Sequence, residues 1–152
     1  MSKGSDWKGH IKYIYWDGNM ITDDDLKEET VLNITLCKCK LSEWQITQLI
    51  LNHQFIVLET ENWWWVIEKD GEGIVFQRSN RLEDVQGHRT DGTPRPNLII
   101  EMYGHDVGYK NLTMASIEDF IVENELHLPY HFLFANCQRF AAGLYDAILE
   151  SC

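Results

Sequence analysis

Two hydrophobic patterns divide this chain. One has the short period of strands and the other the longer spacing of amphipathic helices. Residues 10–16 are rich in strand-favouring aromatics and end at Asp17-Gly18, a hairpin-turn dipeptide. Val31 to Lys40 reads as a strand. Ser42, with Gln45 at the capping-box position, predicts a helix running to about Asn52. His53 to Thr60, Trp63 to Lys69 and Ile74 to Ser79 then read as three strands. The turns Glu61-Asn62 and Asp70-Gly71-Glu72-Gly73 separate them, which makes a meander. Residues 80–96 carry charge, glycine, Pro94 and Pro96 and are expected to form a long exposed loop. Asn97 to Tyr103 returns as a strand. Ser116 is the expected cap of a helix carrying Ile117, Phe120 and Ile121, and a final helix is expected over about Asn136 to Glu150. Helices beside a strand meander predict an α+β domain, its antiparallel sheet (53–79 plus 97–103) packed by helices on one face.

Composition limits what such a domain does. At 152 residues it is one domain, or at most one domain with a short appendage, able to bury ~68–70% of its unfolded surface. With 13 Lys and Arg against 24 Asp and Glu, the net charge is −11. That field repels nucleic acid and anionic membrane surfaces, and no local basic patch breaks it. A hydrophobic content of 44% is too high for a disordered acidic tail. The run Asp23-Asp24-Asp25 with Glu28 and Glu29 reads as a solvated acidic loop or helix start. It lacks the alternating ligands and glycine of a calcium loop.

The cysteines add chemistry. Cys37, Cys39, Cys137 and Cys152 are too few and too unevenly spaced for a disulfide framework. The first residues lack the apolar core of a signal peptide, and no apolar run approaches the ~20 residues of a membrane span. A reducing cytoplasmic setting is therefore expected, with the thiols available. Cys37 and Cys39 share one side of a strand, but without a second Cys/His pair two ligands do not close a metal site, and packing or a redox-sensitive pair is the preferred reading. Cys137 differs. It opens a stripe of Phe140, Ala141, Leu144 and Ile148, with Asn136 as the expected N-cap. A thiol in a helix's first turn feels the positive end of the dipole, and the unpaired amides there are able to hold an oxyanion. The plain alternative is a buried small residue at the start of an amphipathic helix.

A cysteine nucleophile needs an imidazole. Among His10, His53, His88, His105, His127 and His131, His53 is best placed because it opens a strongly hydrophobic strand. His105, at a strand end, is the next candidate. The combination of His53-Gln54-Phe55-Ile56-Val57, a meander, and Asn136-Cys137-Gln138-Arg139-Phe140 resembles the circularly permuted NlpC-type, papain-like cysteine enzymes. That order is the one found in PPPDE peptidases and lecithin:retinol acyltransferase-like proteins. The resemblance covers about residues 50–150, and the two motif centres lie 84 positions apart. It implies a permuted papain-like core over 41–152, with residues 1–40 as strands and an acidic loop within or appended to the same domain. It also implies Cys137 as nucleophile and His53 as general base.

Departures from the pattern shape the expectation. The acyltransferase branch commonly has a second histidine on the next strand, where this chain offers Glu68. A carboxylate there fits an imidazole-orienting role, although a solvent-facing strand position is the favoured reading for Glu68. The same branch often follows its cysteine with Glu-His, where Gln138-Arg139 stand here, and its membrane-working members tend to carry a C-terminal anchor that is not seen before Cys152. The PPPDE-like peptidase side fits better. Binding roles fall to Asn136, Gln138 and Trp64, an outward ring of the Trp63-Trp64-Trp65 run being a candidate groove wall. The expected activity is a thiol-dependent hydrolase, peptidase or isopeptidase-like, acting on an amide or ester bond. It uses no metal or cofactor, and its substrate is a basic or neutral protein or acylated small molecule. The alternatives are a non-catalytic acidic protein-binding domain of the same fold and an acyltransferase.

Overall fold

Alternating strands pair into one antiparallel sheet in the computed structural model, which describes residues 11–14, 21–40, 52–69, 74–87, 99–124, 126 and 133–151. The strands are β1 (Ile11–Ile14), β2 (Val31–Lys40), β3 (Asn52–Thr60), β4 (Trp64–Lys69), β5 (Ile74–Ser79) and β6 (Ile99–Asp106). They form a six-stranded sheet in the order β1-β5-β4-β3-β2-β6. The predicted meander is its centre, β3-β4-β5. β2 is inserted between β3 and β6, so the N-terminal segment is part of this same sheet.

Successive strand residues point to opposite faces. Ile34 and Leu36, Ile56 and Leu58, Trp65 and Ile67, and Ile74 and Phe76 line one face. Three helices cover it: α1 (Asp23–Glu28), α3 (Met114–Glu123) and α4 (Leu133–Glu150). α4 contributes Phe140, Ala141, Leu144, Tyr145 and Ile148, four of which continue the stripe expected from the sequence. The other face carries Cys37, Phe55, Val57 and Val66 beneath α2 (Leu82–Gln86), which contributes Val85 and the partly buried Leu82.

Several expectations are corrected here. The segment read as a loop over 80–96 contains α2, so helices occupy both faces rather than one. The cap of α3 is Thr113, not Ser116. Ser116 sits three residues into the helix and completes a capping box, its hydroxyl accepting from the Thr113 amide at 3.1 Å. The acidic run Asp23-Asp24-Asp25, read as a loop or a helix start, is the latter: it forms the first turn of α1, capped by Thr22, where carboxylates complement the helix dipole. The strand expected over 97–103 is β6, extending to Asp106. The helix expected over residues 42–52 lies outside the described residues as far as 51, while Asn52 begins β3. The Asp17-Gly18 and Asp70–Gly73 turns, His10, His88, His127, His131, residues 88–98 and Cys152 also lie outside them.

Candidate functional site

The backbone places His53 as the second residue of β3, paired with Cys39 of β2. Cys137 is the fifth residue of α4. This corrects the expected N-cap: α4 begins at Leu133, so Asn136 is its fourth residue. The amides of positions 136 and 137 therefore belong to the intrahelical ladder rather than to the unpaired first turn. Dipole stabilisation of a thiolate fades beyond that turn.

The direction of α4 decides which end of the sheet Cys137 reaches. α4 packs on β3, β4 and β2. At its C-terminal end, Lys110 donates to the Leu149 carbonyl at 3.2 Å and also to the Ser151 carbonyl. A cation at that end complements the helix dipole. Lys110 follows β6 in a 3-10 turn (Gly108–Lys110), and the preceding Val107 amide bonds Leu32 at the start of β2 at 2.9 Å. Midway along α4, Gly143 lies against Leu126; a Cβ there would come within 2.8 Å of Leu126 Cδ2. The Leu126 carbonyl in turn accepts from Lys69 Nζ at 3.0 Å, at the end of β4. α4 thus runs back from the Leu32 end of β2 towards its Cys39 end. From Leu149 to Cys137 the helix rises about 18 Å. From Leu32 to Cys39 the strand spans about 23 Å. The positions of Cys137 and His53 belong to the same end of the α4–β3 pair.

Glu68 comes to that end too. The sequence favoured a solvent-facing position, but Glu68 is only 4% exposed. It is paired with Val75, inside a β4 whose last five residues are all buried. The β3–β4 register pairs Ile56 with Ile67, and one further step sets Glu68 opposite Phe55, two residues from His53 along β3. A buried carboxylate is retained when it has partners, unlike the exposed majority.

The three tryptophans separate by pleat and position. Trp65 is fully buried, and its Nε1 donates to Thr60 Oγ1 at 3.1 Å. Thr60 Oγ1 in turn donates to the buried Glu29 at 2.8 Å. Trp63 lies under the Arg78 guanidinium, 4.2 Å from ring centroid to Cζ. Arg78 also pairs with Asp25 at 3.6 Å, tying α1 to β5. Desolvation pushes the Arg78 pKa down, and Asp25 and Glu29 oppose the shift. Sequence reasoning did not single out Arg78, because a lone cation in an apolar strand gives no pattern until the rings beside it are placed.

Trp64 lines a groove of about 460 Å³ on the α2 face, between α2 and the β2–β6 edge. His105, the next candidate imidazole, sits on exposed β6 with its ring 6.1 Å from that of Tyr145. Cys37 is fully buried in the α2-side cluster, and Cys39 is brought beside His53 by strand pairing. Among the described residues no three His, Cys, Asp or Glu side chains are grouped to hold a metal ion, and no helix is long and apolar enough to cross a membrane. Comparison of the chain with protein-family models, curated proteins and solved structures finds no match.

Proposed function

We propose that this chain is a thiol-dependent hydrolase in which Cys137 is the nucleophile and His53 the general base. The observation that carries the reading is the run of α4 along β3. It brings the Cys137 and His53 positions to one end of the same helix–strand pair. In the proposed reaction His53 takes the Cys137 proton, and the thiolate adds to the acyl carbon of an amide or ester. The tetrahedral oxyanion then collapses, expelling an amine or alcohol that receives the proton from His53. Water, deprotonated by His53, hydrolyses the thioester and frees Cys137. Because positions 136 and 137 lie within the helix ladder, their amides are not free to hold the oxyanion, which needs a donor from outside the first turn of α4. Glu68 stands two residues after Val66, on the α2 face away from α4, and takes no part beside Cys137. The substrate is a basic or neutral protein or acylated small molecule, in keeping with the net charge of −11. We place the fold with the permuted papain-like enzymes on the residues of the resemblance, and the chain in the cytoplasm on its cysteine pattern and short apolar runs.

A second reading has its own observation. His53 stands an even number of residues before Phe55 and Val57, which belong to the α2 face and not to the α4 face. A β3 that keeps its pleat to its first residues favours a non-catalytic acidic protein-binding domain of the same fold. An acyl-directed thiol probe with mapping of the labelled cysteine separates the two. The hydrolase reading expects Cys137 to be labelled and the labelling to be lost in His53→Ala. Labelling of Cys37 or Cys152 in preference, or labelling of Cys137 indifferent to His53→Ala, sinks it.

A further inference from the structure

β6 ends the sheet on the β2 side, and no strand pairs its other edge among the described residues. Met102, Tyr103, Gly104, His105 and Asp106 are all exposed. Successive strand residues alternate between faces, so five exposed in a row leave both faces and the outer edge of β6 open. Gly104 shows the same from the backbone. Among the described residues, a Cβ built there meets only atoms of β2 within 4 Å, Thr35 Oγ1 at 3.5 Å and the Ile34 carbonyl oxygen at 3.8 Å.

Open edges are commonly blunted by lysine, proline, a bulge or a covering segment. β6 reads Ile-Ile-Glu-Met-Tyr-Gly-His-Asp, with no lysine, arginine or proline. Its register irregularity falls at the Lys38/Cys39 end, so Glu101 to Asp106 run in unbroken register against Lys38 to Asn33. Within this regular stretch Met102 is 56% and Tyr103 47% exposed, two of the four exposed large hydrophobic residues among those described. Met102 shares the α2 face with its partner Cys37, and Gln86 Nε2 reaches its sulfur at 3.2 Å. Tyr103 shares the α4 face with its partner Leu36.

This strand is its own antiparallel complement. A two-fold axis through Tyr103, perpendicular to the sheet, sets Tyr103 opposite Tyr103 of a second copy. Met102 then stands opposite Gly104, so a long flexible side chain meets the one position without any. Glu101 stands opposite His105, an acid against an imidazole, and the symmetry supplies both pairs twice. An axis half a residue nearer Gly104 instead brings Glu101 against Asp106. In the Tyr103 register Asp106 opposes Ile100, and its carboxylate is engaged within its own chain, accepting from the Gly108 amide at 2.9 Å.

We propose that β6 pairs with β6 of a second copy of this chain, antiparallel and centred on Tyr103, joining the two sheets edge to edge. Main-chain hydrogen bonds hold the pair, and the opposed side chains fix its register. One short strand from each copy is a small interface, so the dimer is weak, with a dissociation constant of ~10–100 μM. The pairing does not depend on the thiol chemistry of Cys137.

Sedimentation of the full chain across concentrations bracketing that value is expected to show a monomer–dimer equilibrium and nothing larger. Tyr103→Lys puts like charges directly opposite on the axis and is expected to weaken association more than about tenfold. His105→Glu sets two acids at each 101–105 pair and is expected to weaken it as well. Adding Glu101→His to that variant exchanges the pair and is expected to restore association to within about threefold of wild type. The restoration reports register, because both variants have lost the ring contact of His105 with Tyr145. Val122→Lys adds the same charge at another exposed hydrophobic, on α3, and is expected to change association by less than about twofold. Urea unfolding checks that each variant is folded. In a mixture of isotope-labelled and unlabelled wild-type chain, the Met102 methyl is expected to show a cross-peak to the Gly104 Cα hydrogens of the other copy. A chain that stays monomeric overturns the proposal, as does growth beyond a dimer. So does a dimer that Val122→Lys weakens as much as Tyr103→Lys, one that the charge exchange fails to restore, or one lacking the Met102–Gly104 cross-peak.

Discussion

The face of the sheet under α4 and the face under α2 are made by the same strands, residue by residue in alternation, but their covers differ in length. α4 has 18 residues and brings five buried side chains to its face. α2 has five residues and brings Val85 and part of Leu82. On the α4 side the result is a large apolar layer shared with α1 and α3, in which the buried Thr60, Lys69 and Arg78 are held by partners. On the α2 side the apolar cluster is small and shares its face with the buried Glu68 and Gln77. Gln77 is fully buried there, and neither of its side-chain amide atoms has a hydrogen-bond partner among the described residues. Beside α2 the groove opens. A long amphipathic helix closes a sheet face; a single turn and a half leaves room for polar groups and a groove. Stability is therefore expected to reside mainly on the α4 face.

Truncation on each face measures that asymmetry. Phe140→Ala removes a fully buried ring from α4 and is expected to cost about 3–5 kcal/mol in urea unfolding. Val85→Ala in α2 is expected to cost only about 1–2 kcal/mol. Equal costs would break the comparison. A smaller change should run the other way: Gln77→Met replaces an unpartnered buried amide with a flexible apolar chain and is expected to stabilise by about 1 kcal/mol. A loss of stability would mean that the amide is satisfied and the α2 face is better built than described.

The smallest expected effect is a pH slope on the α4 face. Lys69 is buried, and desolvation holds its pKa below the ordinary lysine value. Between that lowered pKa and the unfolded value of ~10.4, the unfolded chain binds more protons than the folded one, so stability rises with pH. Below the lowered value the desolvation cost is fully present. Unfolding free energies of wild type and Lys69→Met, compared across the alkaline range, are expected to show this rise only in wild type. Tyr145 remains in both proteins; burial and Asp146 push its pKa up, giving it the opposite slope, so the difference isolates Lys69. Parallel curves would contradict the burial reading.

The central strands were legible because β3, β4 and β5 carry dense apolar runs between recognisable turns. α2 was not, since Leu82-Glu83-Asp84-Val85-Gln86 is too short to establish a helical period and Arg81 provides no side-chain cap. Thr113 was missed as a cap because its box partner is a serine rather than the usual Glu or Gln. Glu68 was misjudged because a carboxylate is exposed by default, and only its place among buried β4 neighbours reverses that. For the candidate site, the sequence supplied His53 and Cys137 as residue types in a suggestive order. The end of the sheet that each reaches depends on tertiary ties, Lys110 to Leu149 and Lys69 to Leu126, that no local pattern encodes.

The start of α4 at Leu133 leaves Cys137 beyond its first turn, so the dipole contributes little and thiolate formation must depend on His53. The most direct measurement is the pH dependence of alkylation at Cys137, followed by peptide mapping in wild type and His53→Ala. The account predicts a wild-type midpoint well below the ordinary thiol value of ~8.5, returning to it in His53→Ala. A wild-type midpoint already at that value, or one indifferent to the loss of His53, would contradict the proposed dyad.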